Sequence, residues 1–476
     1  MALPVLVLVG AALALRLWVL RAIPLIDTDG VIYVTLARQV RAAGSPFDSL
    51  FHPLYPLCIA LLQPFVGDWE LAGRLVSAIS GSLLVLPAYA LTRALFGADI
   101  AMLSAVLIVV HPGLVLASTS VMSEGVYTFV LVTGVWAGWR ALTSGPRVLL
   151  PAAGLLFGLA YLARPEGAVY VVGLVVCGAL AVASGARLRD LAGWLSAAVG
   201  AFVVVAGPYL LYLRGVHGSW MLSGKIGHNL ALEQGLAGPP GAMAWRVLEN
   251  AFLFEKYGLP DVLPGVLAFL VLPGVVARAR RREWPGSEGL LLAASLPPFV
   301  SLAFHIESRI FVPILPFLLP FAAQGAVWVA GAVFGERRTR SWAFALVLVV
   351  ALGLLPYALR PVLRPDPGAA LSRQVARWVE ESQPPDTVLL DRKPFVAFYS
   401  GRTFAPLGRV GPDELVAAAR RAHARLVVLD SRSLPYDRPR LVPLVWSAPP
   451  PGLEVLRDFD AAPADRIRVL LVRDGG

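Results

Sequence analysis

A chain of 476 residues that is 57% hydrophobic and only 15% charged is too apolar for an ordinary soluble domain, where roughly a quarter of residues carry charge. Its net charge of +10 is nearly all arginine, with lysine only at Lys225, Lys256 and Lys393. The arginines cluster between apolar stretches, so they read as membrane-topology signals and not as a nucleic-acid surface.

Mean hydropathy is +0.70, and about 20 apolar residues span a bilayer. Eleven apolar segments follow in chain order: 3–20, 71–92, 100–117, 119–139, 148–163, 167–184, 191–213, 259–277, 289–304, 310–333 and 341–360. The first has no basic residues before it, while Arg16 and Arg21 follow its apolar run. It therefore reads as an uncleaved helix and not as a signal peptide. Cys58 and Cys177 both lie in apolar sequence, where a thiol behaves as a small apolar side chain; neither a disulfide framework nor a zinc pattern is available.

With the N-terminus in the cytoplasm, the short inner loops hold twelve arginines and the short outer loops hold two, Arg164 and Arg309. That is the bias expected of cytoplasmic loops. An odd number of spans then puts residues 361–476 outside. The expectation is a polytopic α-helical membrane protein, residues 1–360, followed by a soluble extracytoplasmic domain, residues 361–476. It would sit in a bacterial-type inner membrane.

Hydropathy falls after Leu359-Arg360-Pro361, and the tail holds 17 of the 41 basic and 14 of the 31 acidic residues. Leu371, Val375, Trp378 and Val379 recur at helical spacing, and 413–424 reads as a second helix. Thr387–Leu390, Leu426–Leu429 and Arg468–Val472 read as buried strands. Alternating strands and helices predict a small α/β domain. It lacks a nucleophile elbow, a Walker loop and metal spacing, so a lid or docking role is expected.

Four acidic loops share the outer face: Asp27-Thr28-Asp29, Glu124, Arg164-Pro165-Glu166, and His305 to Arg309 with Glu307. Ionisable groups at a membrane boundary are costly and usually functional. Asp27 and Asp29 can both face one site; one suits a general base, the other a helix N-cap. An Asp-x-Asp pair also resembles divalent-metal ligation, a short and common pattern. Glu124 opens a span, where the helix dipole suits a negative charge. Arg164 and Arg309 each have a glutamate two residues away, so they serve as plain ion pairs or as bidentate phosphate ligands. His52, flanked by Pro53, opens the next apolar stretch. Residues 29–43 carry Val31, Val34, Leu36 and Val40 partly on one face, with Arg38 and Arg41 elsewhere, as in an interfacial helix. Loop 214–258 adds His217, Lys225, His228, Glu233, Arg246, Glu249, Glu255 and Lys256, with Trp220 and Trp245 as interface anchors.

In order along the chain stand Asp29-xxx-Tyr33, HPLYP at 52–56, AGRLVSAISGSLLVLPAYALTRALFG at 72–97, Ser123-Glu124, Arg164-Pro165-Glu166-Gly167, and Glu307-Ser308-Arg309 leading into VPILP at 312–316. This set resembles GT-C glycosyltransferases of the family 39 type, which include protein O-mannosyltransferases and the lipid A aminoarabinose transferase. The resemblance covers residues 15–335. It implies a polyprenyl-phosphate-linked sugar donor, a glycan, lipid or protein acceptor, and inverting transfer, with an acid of the first outer loop as base. By spacing to Tyr33 the base is Asp29. Gly30 stands where the family commonly has Glu, so Asp27 stays a candidate beside it, with Glu124 as a third. Tyr33, Arg38, Arg41, His52, Tyr55, Arg164, Glu166, Lys225, His228, Glu307 and Arg309 would line donor and acceptor, the basic ones holding the phosphate. The alternative class, a transporter or flippase of lipid-linked substrates, would place ionisable or helix-breaking residues near mid-bilayer, often with two related halves; here the acids lie at one end of their spans and no two-half repeat is seen.

Reporter fusions test the topology. Fusions after Arg282, Arg338 and Gly476 are expected to report inside, inside and outside; an inside signal at Gly476 overturns the eleven-span arrangement.

Overall fold

The computed structural model describes residues 2–184, 188–225, 242–280, 289–303 and 307–473. These form two compact units, residues 1–20 with 33–360 and residues 21–32 with 361–476. The second unit thus takes in the connection after the first helix as well as the tail.

The first unit is helical. Its elements begin with α1 (Ala2–Leu20), α2 (Thr28–Ala43), α3 (Leu54–Val66), α4 (Trp69–Leu83), α5 (Val85–Phe96), α6 (Ala98–Val110), α7 (Pro112–Ala117), α8 (Glu124–Thr143), α9 (Leu149–Ala163), α10 (Gly167–Ala183) and α11 (Leu188–His217). The helices Gly265–Ala279, Leu315–Phe334 and Thr339–Ala358 complete the longer ones. Among the described residues, five helical stretches are long and apolar enough to cross a membrane: Leu3–Leu20, Trp69–Phe96, Leu191–His217, Ser308–Phe334 and Glu336–Ala358. Further apolar helices are shorter, among them α3, which the sequence pattern does not single out. The chain is a multi-pass membrane protein.

Prolines explain where segments break. The stretch 100–117 is split at His111, with Pro112 opening α7, a position that tolerates a missing N–H. Stretch 289–304 becomes Gly289–Ala294 followed by a tighter turn from Pro297. The broken α6–α7 junction also explains Arg16. Gly113 N–H turns to His111 Nδ1 at 3.2 Å, and Arg16 reaches the Val109 carbonyl at 3.4 Å and Ser118 Oγ at 2.7 Å. Arg16 is fully buried; sequence reading places it at a flank, but here it ties α1 to carbonyls freed by a helix break. Elsewhere small residues let helices meet at backbone distance. A Cβ on Gly274 or Gly325 would strike the facing carbonyl of Phe321 or Leu270, the small-residue contact of membrane helix pairs.

The second unit is a five-stranded mixed sheet in the order β2-β1-β3-β5-β4. Its strands are β1 (Val388–Asp391), β2 (Thr403–Pro406), β3 (Leu426–Asp430), β4 (Leu453–Ala462) and β5 (Asp465–Val472). β1 lies parallel to β2 and β3, whereas β5 runs antiparallel to β3 and β4. On one face the helix Pro367–Ser382 buries Leu371, Val375, Ala376 and Val379 against Leu389, Val428 and Val469. Asp366 caps it, accepting from Ala369 N–H at 3.2 Å, which satisfies one of the open N–H groups of the first turn. The other face packs Leu390, Val427, Leu429 and Leu470 against Leu415, Leu441 and Val445. The three strands predicted from sequence are the buried ones. β2 and β4 escape detection because β2 is a short edge strand ending in Pro406 and β4 is largely exposed and bulged after Val455.

Asp391 ends β1 at 3% exposure. Burial, reinforced by the Asp430 carboxylate, pushes its carboxyl well above the usual range. The fold therefore favours the protonated form, and stability is lost as pH rises from the unfolded carboxyl value, about 3.9, through the raised one. Asp391→Asn keeps an acceptor for the Lys393 N–H, 3.2 Å away, without the buried charge. It is expected to raise the Tm of the full-length protein at pH 7 by on the order of a few °C, with the gain shrinking towards pH 4. Thermal scans of both proteins across that range check it.

Candidate functional site

Three of the predicted loops meet at one end of the helical unit. Glu124 opens α8 at 1% exposure. Arg164 follows the last turn of α9 in extended conformation, which turns its side chain out of the helix run. Arg164 Nη1 donates to Glu124 Oε1 at 2.8 Å, and Nη2 donates to Glu166 Oε1 at 3.2 Å. One guanidinium fork, rigid and five-donor, thus joins two carboxylates. It also lies 5.8 Å from the centroid of the Tyr127 ring. Arg309 stands 3.9 Å from Glu124 Oε1, pairs with Glu307 and donates to Met122 Sδ at 3.5 Å. Among the described residues, Glu124 Oε2 is buried without a hydrogen-bond partner. Burial alone would raise the Glu166 carboxyl, but the charge and hydrogen bonds of Arg164 outweigh it and hold it below the usual range.

Behind this network lies an aromatic frame. Tyr33 Oη donates to Ser123 Oγ at 3.2 Å, and its ring meets Tyr55 and Phe51 edge-on at 5.0 and 5.3 Å. Tyr55 Oη donates to Gly73 O at 2.9 Å and shares a 2.7 Å contact with Ser77 Oγ, which donates to Met122 O. His52 is buried between the rings of Tyr161 and Tyr209, at 5.1 and 5.0 Å. Burial pushes its imidazolium down to about 4, so at neutral pH it is an uncharged ring and no cation for a phosphate. Lys225 Nζ lies 4.6 Å from the Phe51 ring centroid.

The other predicted residues are placed as follows. Asp27 is exposed just before α2, and its carbonyl accepts from Val31 N–H at 3.0 Å. Asp29 is half-buried in the first turn of α2. Along α2, Val31, Tyr33, Val34, Leu36 and Ala37 are buried while Arg38 and Arg41 are exposed, the two-faced pattern read from sequence. Arg38 lies 5.9 Å from the Trp69 ring, and Arg41 donates to Gln63 Oε1 at 2.6 Å. His228, Glu233 and His305 lie outside the described residues. Sequence reasoning missed Ser77, Ser123 as a partner of Tyr33, Tyr127, Tyr161 and Tyr209. Tyrosines inside apolar stretches were the available signal, because a buried hydroxyl needs a partner. Among the described residues no group of three or more His, Cys, Asp or Glu side chains is arranged to hold a metal ion.

Residues 50–212 match the dolichyl-phosphate-mannose-protein mannosyltransferase family. The chain is similar in structure to ArnT from Cupriavidus metallidurans in the apo state, with TM-score 0.59 and 16% identity, covering 98% of this chain and 97% of that one. The same protein bound to undecaprenyl phosphate matches with TM-score 0.56. It is also similar to the oligosaccharyltransferase AglB from Archaeoglobus fulgidus in complex with an inhibitory peptide and a dolichol-phosphate, with TM-score 0.59 and 14% identity, over 93% of this chain and 71% of that one. Among curated proteins none matches the chain in sequence. The chain thus has the GT-C fold, with a C-terminal sheet domain, and both the matched segment and the fold are those of membrane glycosyltransferases. That bears out the resemblance seen in the sequence motifs.

The Glu124–Arg164–Glu166 bridge carries a stability prediction. Arg164→Ala strands a buried carboxylate, and breaking such a pair from one side costs about 3–5 kcal/mol. Adding Glu124→Gln to Arg164→Ala is expected to recover part of that loss, measured by denaturant unfolding in detergent; a double variant no better than the single one refutes the pairing.

Proposed function

We propose that the chain transfers a sugar from a polyprenyl-phosphate donor to an acceptor hydroxyl of a glycan, lipid or protein on the extracytoplasmic side of a bacterial-type inner membrane, with inversion at the anomeric carbon. The orientation follows the arginine count, with the N-terminus cytoplasmic and the C-terminal unit outside. The observation that carries the reading is the convergence of Glu124, Arg164, Glu166, Glu307 and Arg309 at one end of a GT-C helical unit.

In the proposed reaction Asp29 takes the proton of the acceptor hydroxyl. The acceptor oxygen attacks the anomeric carbon, the bond from that carbon to the phosphate oxygen breaks, and polyprenyl phosphate leaves with the electron pair. A phosphate is already a good leaving group, so cations suffice to stabilise it and no acid is needed. Arg309, 33% exposed, supplies that charge with Lys225, while Arg164, 15% exposed, holds the two carboxylates beside it. Tyr33, one turn beyond Asp29 on α2, anchors the helix to Ser123.

Incubating the purified protein with labelled polyprenyl-phosphate sugars and a membrane extract supplying glycan, lipid and protein acceptors is expected to release polyprenyl phosphate; no release from any of them overturns the donor class. Asp29→Asn keeps the size of the side chain but cannot accept the proton, so turnover is expected to fall roughly 10²–10⁴-fold while binding of undecaprenyl phosphate survives. Asp27→Asn is expected to cost far less. A dead Asp27→Asn beside an active Asp29→Asn swaps the roles, and two active variants move the base to Glu124.

A further inference from the structure

Residues 21–32, the connection after α1 and the first turn of α2, carry both aspartates, and residues of the tail hold this segment at three points. Ile26 is 2% exposed, so its backbone N–H needs a protein partner; it donates to Tyr399 Oη at 2.8 Å. Tyr399 belongs to the short helix Phe395–Ser400 that follows β1. Arg373, from the helix Pro367–Ser382, donates to the Pro24 carbonyl and to Tyr399 Oη, the latter at 3.2 Å. Its guanidinium carbon lies 4.0 Å from the Tyr399 ring centroid, a cation–π distance. Lys393 Nζ donates to Thr28 Oγ1 at 3.0 Å, and Thr28 is the residue between Asp27 and Asp29. These contacts fall within one compact unit, which groups residues 21–32 with the tail.

We infer that Tyr399, Arg373 and Lys393 are positioning residues for the aspartate segment, a role for the tail beyond that of a lid or docking module. The inference rests on the reading of that segment as the carrier of the base. Its physical basis is geometric. Residues 21–27 have no helix or strand of their own to fix where α2 begins, Asp29 stands in the first turn of α2, and a misplacement of about 1 Å can cost on the order of 10²-fold in rate. Here the backbone before the aspartates is fixed at Pro24 and Ile26, and the residue between them at its hydroxyl.

The test uses the full-length protein in detergent. Tyr399→Phe keeps the ring under Arg373 but removes the acceptor for Ile26 N–H; Lys393→Met removes the donor to Thr28, and Lys393→Arg is the conservative control. Turnover is read on the labelled polyprenyl-phosphate sugar that the wild type uses, affinity on undecaprenyl phosphate, and backbone order by hydrogen exchange. Tyr399→Phe and Lys393→Met are expected to lower kcat about tenfold with undecaprenyl phosphate affinity unchanged, to speed exchange in residues 21–32, and to leave β1, β3 and β5 protected. Lys393→Arg is expected to recover most of the turnover. Wild-type kcat in both variants, beside an inactive Asp29→Asn, overturns the inference. Exchange accelerated throughout β1, β3 and β5 makes the contacts merely structural and overturns it too. Full turnover of Asp29→Asn overturns the base assignment instead, and the positioning role then stands or falls on the kcat of Tyr399→Phe.

Discussion

The helical unit is organised around a carboxylate that cannot be left alone. Glu124 is buried at the start of a helix in a chain built to exclude water, and a buried charge needs a cation and hydrogen bonds. Arg164 supplies both, and only two residues separate the end of α9 at Ala163 from its ion-pair partner Glu166, just before α10. The three residues 122–124 then gather the surrounding elements. Glu124 takes α9 through Arg164, Ser123 takes α2 through Tyr33, and Met122 takes α4 through Ser77 and the helix Ser308–Phe311 through Arg309.

What was legible in the sequence follows from this. Apolar runs at spanning length and arginines between them are strong, local signals, and they locate most helices of the first unit. The acidic residues stood out because charge in such a sequence is rare; Glu124, Glu166 and Glu307 do come together with their arginines. Their mutual geometry was not legible, because Arg164 lies 40 residues from Glu124 along the chain. Arg16 shows the converse failure. Nothing local distinguishes an arginine at a membrane flank from one buried against Ser118, 102 residues away; the decisive feature is the helix break at Pro112, whose freed carbonyls only tertiary packing can offer to it.

The tail shows the same division. Leu371, Val375 and Val379 announce their helix because they bury one face, and β1, β3 and β5 announce themselves as buried apolar runs. β4 does not, since Glu454, Arg457, Asp458 and Asp460 interrupt its apolar residues and a bulge disrupts the period. It is held partly by charge: Asp458, directly opposite Arg468 on β5, accepts from it at 2.7 and 2.8 Å. That residues 21–32 would group with a domain more than 300 residues later left no trace in composition or period, for the contacts run through single side chains, Tyr399 and Lys393.

Charge balance at the site constrains how a lipid phosphate would bind in the proposed reaction. Glu124, Glu166 and Glu307 face two arginines, so the network by itself is not an attractive field for an anion. Arg164 already divides its donors between two carboxylates at 2.8 and 3.2 Å and is the more buried of the pair; asking it to accept a phosphate would release a buried acid. Arg309 is more exposed and its close ion-pair partner, Glu307, is itself 37% exposed, so exchanging that partner for a phosphate releases no fully buried acid. Lys225, beside the Phe51 ring, adds a further cation. In the proposed reaction the leaving phosphate would thus be matched by Arg309 and Lys225, while Arg164 keeps Glu124 and Glu166 in place. On this division one arginine builds the site and the other serves the chemistry, although both stand in the same kind of Arg–Glu motif.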